Sequence, residues 1–320
     1  MAAYRTPDSS VNDSPADISP CFYLADHPPL GGTNEVRYAL DMPELPEVET
    51  VVRGLRAAGL EGARIREVRV RWHRTVSGLT PAAFVRALRG RVIRRLTRRA
   101  KYIVAELDNN RHMLVHLRMT GQFRLEPPGT RADLHDRLVL TLADGRQVHF
   151  HDTRKFGRVC LTDDPRRHLA TLGPEPLARA FTVAVLRQRL AGRRRKIKPL
   201  LLDQGCVAGL GNIYVDEALW QACIHPARRA ATLSLAEVVR LHAAIRAVLR
   251  RAVAAGGTTL GNGDTNFYSV AGRRGRNADR LKIFRRTDLP CPRCSARIVR
   301  IVVSQRGTHV CPRCQRASPS

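Results

Sequence analysis

The sequence predicts an α+β protein: an antiparallel β-sandwich with flanking helices, then a helical domain that ends in a cysteine-bearing β-hairpin. Three observations support this fold class. Short segments of alternating apolar and polar residues, separated by turn residues, fill residues 65–150. Apolar residues at helical spacing dominate residues 182–255. Two pairs of closely spaced cysteines flank a last alternating segment, between residues 291 and 314.

The first predicted domain comprises residues 42–175. Four apolar residues at helical spacing predict a helix over residues 47–60, which Gly59 and Gly62 end. A further helix is expected over residues 81–88. The alternating segments predict six strands, at residues 65–70, 92–96, 102–107, 112–117, 138–142 and 147–150.

The second predicted domain, residues 176–286, begins after a Gly-Pro-Glu-Pro sequence that is typical of a domain boundary. Its helices are expected at residues 182–190, 199–203, 213–222 and 235–255. A Gly-, Asn- and Arg-rich stretch at residues 256–280 predicts a mobile loop. The basic run at residues 193–198 favours phosphate contact over a merely solvated face at this net charge.

A third module is predicted at residues 287–316, where the cysteines have metal-ligand spacing. The pattern is Cys291-x2-Cys294-x16-Cys311-x2-Cys314, and four thiolates at this spacing are typical of a structural zinc site. The intervening residues alternate as a β-hairpin, so a β-hairpin zinc finger with one Zn²⁺ is expected. A redox role is the alternative, which two matched pairs disfavour.

Length and charge limit the possible functions. The chain has 320 residues, enough for several domains with their own cores, and a net charge of +27, which favours nucleic acid as the partner. No apolar run approaches the ~20 residues of a membrane span, and no secretory signal is evident. Eight cysteines in a chain this long do not form a disulfide framework. A cytoplasmic, nucleoid-associated location is expected.

Residues 1–41 differ from the rest of the chain. They hold two basic and six acidic residues, a net charge of −4, so residues 42–320 carry +31. Proline, serine and aspartate dominate with little periodicity, which predicts a disordered extension. We interpret it as a start-site misassignment, with translation beginning at Met42.

The stretch after Met42 carries the most distinctive chemistry. If Met42 is the first residue and is removed, Pro43 presents a terminal secondary amine. The pKa of a terminal α-amine is ~7.7–8.0, against ~10.4 for a lysine side chain. A larger fraction of the terminal amine is therefore neutral and nucleophilic at pH 7. Such an amine can attack an electrophilic sugar carbon and form an imine if acids and bases stand beside it. Glu44 and Glu47 are candidates for that role; the alternative is a proline-interrupted helix start with solvated carboxylates.

Residues 42–55, MPELPEVETVVRGL, resemble the start of formamidopyrimidine-DNA glycosylase, the bacterial base-excision enzyme for oxidised purines, and the resemblance recurs over residues 42–315. Met-Pro-Glu-Leu favours this family over its relative endonuclease VIII. The resemblance implies a monomeric, bifunctional DNA glycosylase/AP lyase that acts on damaged double-stranded DNA. It would remove 8-oxoguanine and formamidopyrimidines through a Schiff base on Pro43, followed by β,δ-elimination.

The resemblance also implies roles for individual residues. Lys101, in the sequence RRAKY, matches a lysine that contacts phosphate near the active site; without the resemblance, a solvated or phosphate-facing lysine is expected. Met119 matches a wedge that enters the duplex where the damaged base leaves; a methionine here would otherwise fill the core. Arg154 and Phe156 lie on one side of an extended segment and match the rest of that wedge.

Two regions of the second half match DNA contacts. Residues 205–214 resemble the helix–two-turn–helix motif, in which Lys198 and Asn212 hold the phosphates around the lesion; Asn212 could equally cap the helix that follows. Arg306, expected to project from the hairpin turn, matches an arginine that reaches a phosphate at the lesion. The predicted catalytic residues are therefore Pro43, Glu44, Glu47, Lys101 and Arg306.

Two other functions remain open from the sequence. An endonuclease VIII-like enzyme would act on oxidised pyrimidines instead. A non-catalytic, lesion-binding zinc protein would result if Pro43 stays joined to the preceding residue, because an amide nitrogen cannot form an imine.

We expect the active protein from its own cell to begin at Pro43, because the chemistry needs a free amine there. Intact-mass measurement of the purified active protein checks this. A mass that includes Met1, in enzyme that still forms a covalent intermediate with DNA, would contradict it.

Overall fold

The computed structural model describes residues 42–261 and 267–317. The predicted extension at residues 1–41 and part of the predicted loop, residues 262–266, lie outside the described residues. Helices are present at Leu45–Ala57 (α1), Pro81–Leu88 (α2), Pro165–Leu169 (α3), Val183–Leu190 (α4), Ile197–Leu202 (α5), Asn212–Ala222 (α6) and Leu235–Ala254 (α7). Strands are present at Ile65–Val70 (β1), Val76–Ser77 (β2), Ile93–Arg99 (β3), Tyr102–Leu107 (β4), His112–His116 (β5), Gln122–Glu126 (β6), Asp136–Leu142 (β7), Gln147–His151 (β8), Arg158–Thr162 (β9), Val299–Val303 (β10) and Arg306–Val310 (β11).

Helix α1 begins two residues earlier than its apolar pattern predicts. Pro46 stands in the first turn, where its missing N–H costs nothing. Glu47 accepts a hydrogen bond from the Glu44 amide at 3.0 Å, which satisfies an N–H at the start of the helix. The helix ends before Gly59, whose φ of +73° suits glycine. One face of α1 is therefore buried against the sandwich. Its first turn is held by the side chain of Glu47, which is also a predicted catalytic residue.

Two sheets form the predicted β-sandwich. One has the order β1-β7-β8-β6 and the other β2-β9-β5-β4-β3. The described pairs are antiparallel apart from β2 and β9, which run parallel. Apolar side chains of both sheets meet in one core, for example Leu138 and Phe150 from the first and Ile103 and Val115 from the second. The sequence did not predict β2, β6 and β9, which are short and whose pairing partners are distant in the chain.

The helical domain packs four helices around a second core. Helix α7 starts with a capping box of Ser234 and Glu237. The turn between α5 and α6 is closed by Gln204, whose Nε2 donates to the Leu202 and Leu210 carbonyls and whose Oε1 accepts from the Gly209 amide. This confirms a tight helix–turn–helix arrangement at the stretch that the glycines indicate.

Two segments cross between the cores. Leu45, at the start of α1, packs into the helical core, and its amide donates to the Gly209 carbonyl at 3.0 Å. Conversely, Phe267 and Val270 pack against the sandwich core. The beginning of α1 is thus fixed by the helical domain, although α1 otherwise belongs to the sandwich.

The C-terminal hairpin pairs β10 with β11 through a two-residue turn, Ser304 and Gln305, both at positive φ. Its base packs on Trp220 and Ile283 in a small third core.

In the part of the chain that the structure describes, none of the helices has the length and apolar character of a membrane span. The α+β class, the sandwich, the helical domain and the hairpin are confirmed.

We expect Leu45→Ala to lower the free energy of unfolding by about 2–5 kcal/mol, because it empties a fully buried position that ties α1 to the helical core. Urea denaturation of the zinc-loaded protein measures this. Leu134→Ala, at a side chain that is 79% exposed, is the control and should change the value by less than about 0.5 kcal/mol. Equal losses in both variants would contradict the assignment.

Candidate active site

Glu44 joins the first turn of α1 to the first turn of α6. Its carboxylate accepts hydrogen bonds from the Gly211 amide at 2.6 Å and from the Ile213 amide at 2.8 Å. Amide groups at a helix N terminus favour a negatively charged partner. A Cβ at Gly211 would lie 2.4 Å from the Glu44 carboxyl carbon, so glycine permits this approach. Glu44 is thereby buried and fixed in place.

Glu47 lies one turn further along α1 and is 2% exposed. Its Oε1 accepts from the Tyr214 hydroxyl at 2.5 Å and from the Thr258 amide at 2.7 Å, while Oε2 accepts from the Glu44 amide. Burial raises the pKa of Glu47 to about 7, against the opposing influence of these hydrogen bonds. A carboxyl with this pKa is suited to proton transfer at neutral pH.

Pro43 is buried immediately before the two carboxylates. Met42 precedes it, so in the full chain the Pro43 nitrogen is an amide nitrogen. Pro43, the predicted nucleophile, thus directly precedes Glu44 and is one helical turn from Glu47, the predicted acid and base.

Lys101 lies between β3 and β4 and is 5% exposed. Burial lowers its pKa, while the nearby carboxylates of Glu44 and Glu47 oppose this and the Arg306 guanidinium adds to it. The preceding residue, Ala100, has a φ of +52°. Lys101 is therefore a buried cation that faces both carboxylates, with Arg306 close enough to influence it.

Glu175 holds the turn that presents Lys101. Its Oε1 accepts from the Ala100 amide, and its two carboxylate oxygens pair with Arg98 and Arg99 at 2.8 and 3.0 Å. Glu175 stands in the sequence predicted to link the first two domains. The linker therefore also supports the site.

Met119, Arg154 and Phe156 lie on two adjoining loops. Thr120 Oγ1 donates to Asp152 at 2.5 Å and accepts from the Arg154 amide at 3.2 Å, which joins the loops. The Arg154 guanidinium lies 4.9 Å from the centre of the Phe156 ring, and Phe156 is 39% exposed. The two loops that carry the three predicted wedge residues are thus neighbours, with Arg154 and Phe156 exposed and Met119 half-buried. The wedge itself stays a prediction.

Lys198 and Asn212 meet the hairpin. The Lys198 ammonium is fully buried, pairs with Asp216 at 2.7 Å and donates to the Gly307 carbonyl at 3.0 Å. Asn212 Nδ2 donates to the same carbonyl at 3.3 Å. These contacts place the exposed Arg306 next to the helix–turn–helix. Whether Lys198 and Asn212 also contact phosphate stays a prediction.

His116 is a structural histidine. It is 7% exposed, its Nδ1 accepts from the Arg118 amide at 3.0 Å, and burial holds its pKa well below the usual value. Sequence reasoning missed other residues that matter to the site, because their roles depend on contacts distant in the chain: Tyr214, Thr258, Asp152, Glu175 and Asp216.

The four predicted zinc ligands come together. Their sulfur atoms all lie within 4.8 Å of one another, with separations of 3.4 Å for Cys294–Cys311 and Cys294–Cys314 and 3.9 Å for Cys291–Cys314. Four thiolates at ~2.3 Å from a tetrahedral zinc are about 3.8 Å apart, so this donor set fits one Zn²⁺. Trp220 Nε1 donates to Cys291 Sγ at 3.4 Å and orients that ligand.

A β-sandwich with buried carboxylates at the foot of a helix–turn–helix, beside a four-cysteine hairpin, defines the class of two-domain, zinc-finger DNA glycosylases. Three family models match: the formamidopyrimidine-DNA glycosylase N-terminal domain at residues 42–159, its H2TH domain at 172–263, and the zinc finger found in FPG and IleRS at 288–317. The chain belongs to the formamidopyrimidine-DNA glycosylase family.

Individual relatives agree with this assignment. The chain is 50% identical to a formamidopyrimidine-DNA glycosylase of Roseiflexus sp. over 86% of this chain and 100% of that one, and 42% identical to one of Protochlamydia amoebophila over the same shares. The MutM (FPG) structure of Thermus thermophilus is 40% identical, with a TM-score of 0.77 over 87% of this chain and 100% of that one. The Lactococcus lactis Fpg complex with abasic-site DNA is 35% identical, with a TM-score of 0.79 over 86% and 100%.

We expect Cys291→Ser to lose bound zinc and to unfold the hairpin, because three ligands and a hydroxyl bind zinc far more weakly than four thiolates. Metal analysis of the purified protein measures the zinc content. Cys223→Ser, at an exposed cysteine outside the cluster, should retain one zinc. Retained zinc in the first variant would contradict the ligand set.

Proposed function

We propose that this chain is a bifunctional DNA glycosylase and AP lyase of base excision repair that removes oxidised purines. The observation that carries the proposal is the buried pair Glu44 and Glu47, which follows Pro43 and lies close enough to Lys101 to influence its pKa. The relatives support the substrate class: solved complexes of the family contain Fapy-dG DNA and carbocyclic 8-oxo-G DNA. An endonuclease VIII-like preference for pyrimidines has no comparable support.

In the proposed reaction, the free Pro43 nitrogen forms a bond to C1′ and gives up its N–H proton to a base of the site. The glycosidic bond breaks with its electron pair leaving on the base, which takes a proton. The C1′–O4′ bond then opens, the nitrogen lone pair forms the iminium, and O4′ takes a proton. Removal of the C2′ proton expels the 3′ phosphate, and removal of the C4′ proton expels the 5′ phosphate. The strand is thus nicked by β- and δ-elimination.

The side chains around Pro43 supply the protons and the charge. We assign Glu44 to general acid–base work on the opened sugar, and Glu47 to supporting the site. Lys101 and Arg306, both cations at the same site, are assigned to the phosphates next to the lesion. Met119, Arg154 and Phe156 fill the gap left by the extruded base, and Lys198 and Asn212 hold the flanking backbone.

The proposal extends to the organisation of the chain. Residues 42–175 form the catalytic domain, residues 176–286 the helix–two-turn–helix domain and residues 287–316 the zinc finger, while residues 1–41 are an extension that the active enzyme lacks. We place this enzyme at the nucleoid in the cytoplasm, as a monomer; the charge of +31 over residues 42–320 favours binding to DNA.

We expect protein that begins at Pro43 to be trapped covalently by borohydride on duplex DNA that contains 8-oxoguanine, because reduction fixes the iminium. Gel mobility of labelled DNA measures the adduct. The full-length 320-residue chain is the matched control. It should form no adduct, because its Pro43 nitrogen is an amide nitrogen. Loss of the adduct in Pro43→Gly would support the role of the proline, and a purine-versus-pyrimidine lesion panel separates the two enzyme classes. Equal trapping by the full-length chain would refute the nucleophile.

We expect Arg306→Ala to weaken binding of lesion DNA and to reduce the dependence of log K on log salt by about one, because one phosphate contact is lost. Fluorescence anisotropy over a salt series measures both. Arg297→Ala, at another exposed arginine of the same hairpin, should leave the slope unchanged. The same slope in the Arg306 variant would remove this residue from the phosphate contacts.

A further inference from the structure

Tyr214 connects the helix–turn–helix to the catalytic carboxylates. It follows Ile213 in α6, whose first amides hold Glu44, and its side chain is fully buried. Its hydroxyl lies 2.5 Å from Glu47 Oε1 and 2.8 Å from Thr258 Oγ1. The sequence motif indicated glycines and a helix start here, but gave no role to the tyrosine.

The hydroxyl belongs to a buried chain of hydrogen bonds with a fixed direction. When Glu47 is ionised, its carboxylate only accepts, so the Tyr214 proton is then donated to Glu47. The Thr258 hydroxyl must then donate to the Tyr214 oxygen, and Thr258 Oγ1 accepts from Asn277 Nδ2 at 2.9 Å. The four side chains are at most 4% exposed. The chain therefore runs from Asn277 through Thr258 and Tyr214 to Glu47.

We infer that Tyr214 is a positioning residue for the proposed reaction: its hydroxyl fixes Glu47 Oε1 in the site and favours the ionised form of that carboxyl. The inference rests on the proposed function, in which Glu47 supports the chemistry at Pro43. Thr258 supports the same oxygen twice, through its own amide and through its hydroxyl on Tyr214. The segment that carries Thr258 and Asn277 thus contacts the catalytic carboxyl through neutral groups.

The electrostatic setting makes this hydrogen bond consequential. Burial raises the pKa of Glu47, and the Tyr214 hydroxyl is the strongest of the influences that lower it. Among the described residues, the charged groups that face Glu47 are Glu44, directly before α1, and Lys101, between β3 and β4, with Arg306 of the hairpin acting on Lys101. None of these is altered when the Tyr214 hydroxyl is removed, so the pKa of Glu47 must rise.

Tyr214→Phe tests the inference through the pH dependence of single-turnover cleavage of 8-oxoguanine duplex, with protein that begins at Pro43. The acidic limb of the parent should combine two ionisations, those of the Pro43 amine and of Glu47, because both groups must be unprotonated. In the variant the midpoint of the Glu47 ionisation should move up by about one pH unit, since a hydrogen bond to a charged group is worth that much. The rate should fall about tenfold at pH 6 and converge with the parent at high pH.

Two further variants keep the result interpretable. Thr258→Val retains the hydrogen bond from its backbone amide to Glu47 but removes the hydroxyl that donates to the Tyr214 oxygen. It should shift the midpoint of the Glu47 ionisation in the same direction, by less than Tyr214→Phe. Thr141→Val removes a buried hydroxyl from β7, away from the site, and should leave the profile unchanged. If Tyr214→Phe fails to fold, the Thr258→Val shift decides the question.

Different results would refute the proposed function and the positioning role of Tyr214. A parent that forms no borohydride adduct refutes the proposed function itself. A parent that is trapped normally, with Tyr214→Phe and Thr258→Val profiles that overlay its own, refutes the positioning role alone. A uniform loss of rate at all pH values, with an unmoved midpoint, likewise overturns it, because a merely structural role would give that result.

Discussion

The hydrogen bonds from the first amides of α6 to the Glu44 carboxylate are the constraint on which the site depends. They join the start of the sandwich to the helix–turn–helix across a sequence separation of 167–169 residues. Leu45 reinforces the junction by packing into the helical core. Neither half alone provides the site, because one contributes the carboxylates and the other the amides and the hydroxyl that orient them.

The same junction explains the unusual protonation of the site. Burial removes water from Glu47 and Lys101, so the pKa of the acid is raised and that of the base is lowered. Hydrogen bonds limit the rise in the pKa of Glu47, and the negative charges of Glu44 and Glu47 limit the fall in the pKa of Lys101. Glu47, with a pKa of about 7, can therefore exchange protons near neutral pH, next to the residue proposed to attack the sugar.

The zinc hairpin is attached to this centre by a buried ion pair. Asp216 pairs with Lys198 and accepts from the His309 amide at 2.9 Å, while Gly307 receives two donors from the helices. A buried pair of this kind adds little net stability but strongly disfavours other arrangements, because an unpaired buried charge is costly. It therefore fixes where Arg306 stands relative to Lys101 and the carboxylates.

The sequence by itself determined the elements that follow from local pattern: α1, α2, β1, β4 and the helices of the second half. It also determined the zinc ligands, because their spacing is a local property, and the carboxylates after Pro43. The tertiary structure alone decided that Glu44 binds α6, that Tyr214 and Thr258 hold Glu47, and that Lys198 is buried on Asp216. These are contacts between residues far apart in the chain, and the choice among many possible partners is made by packing and by the need to satisfy buried polar groups, which no local pattern records.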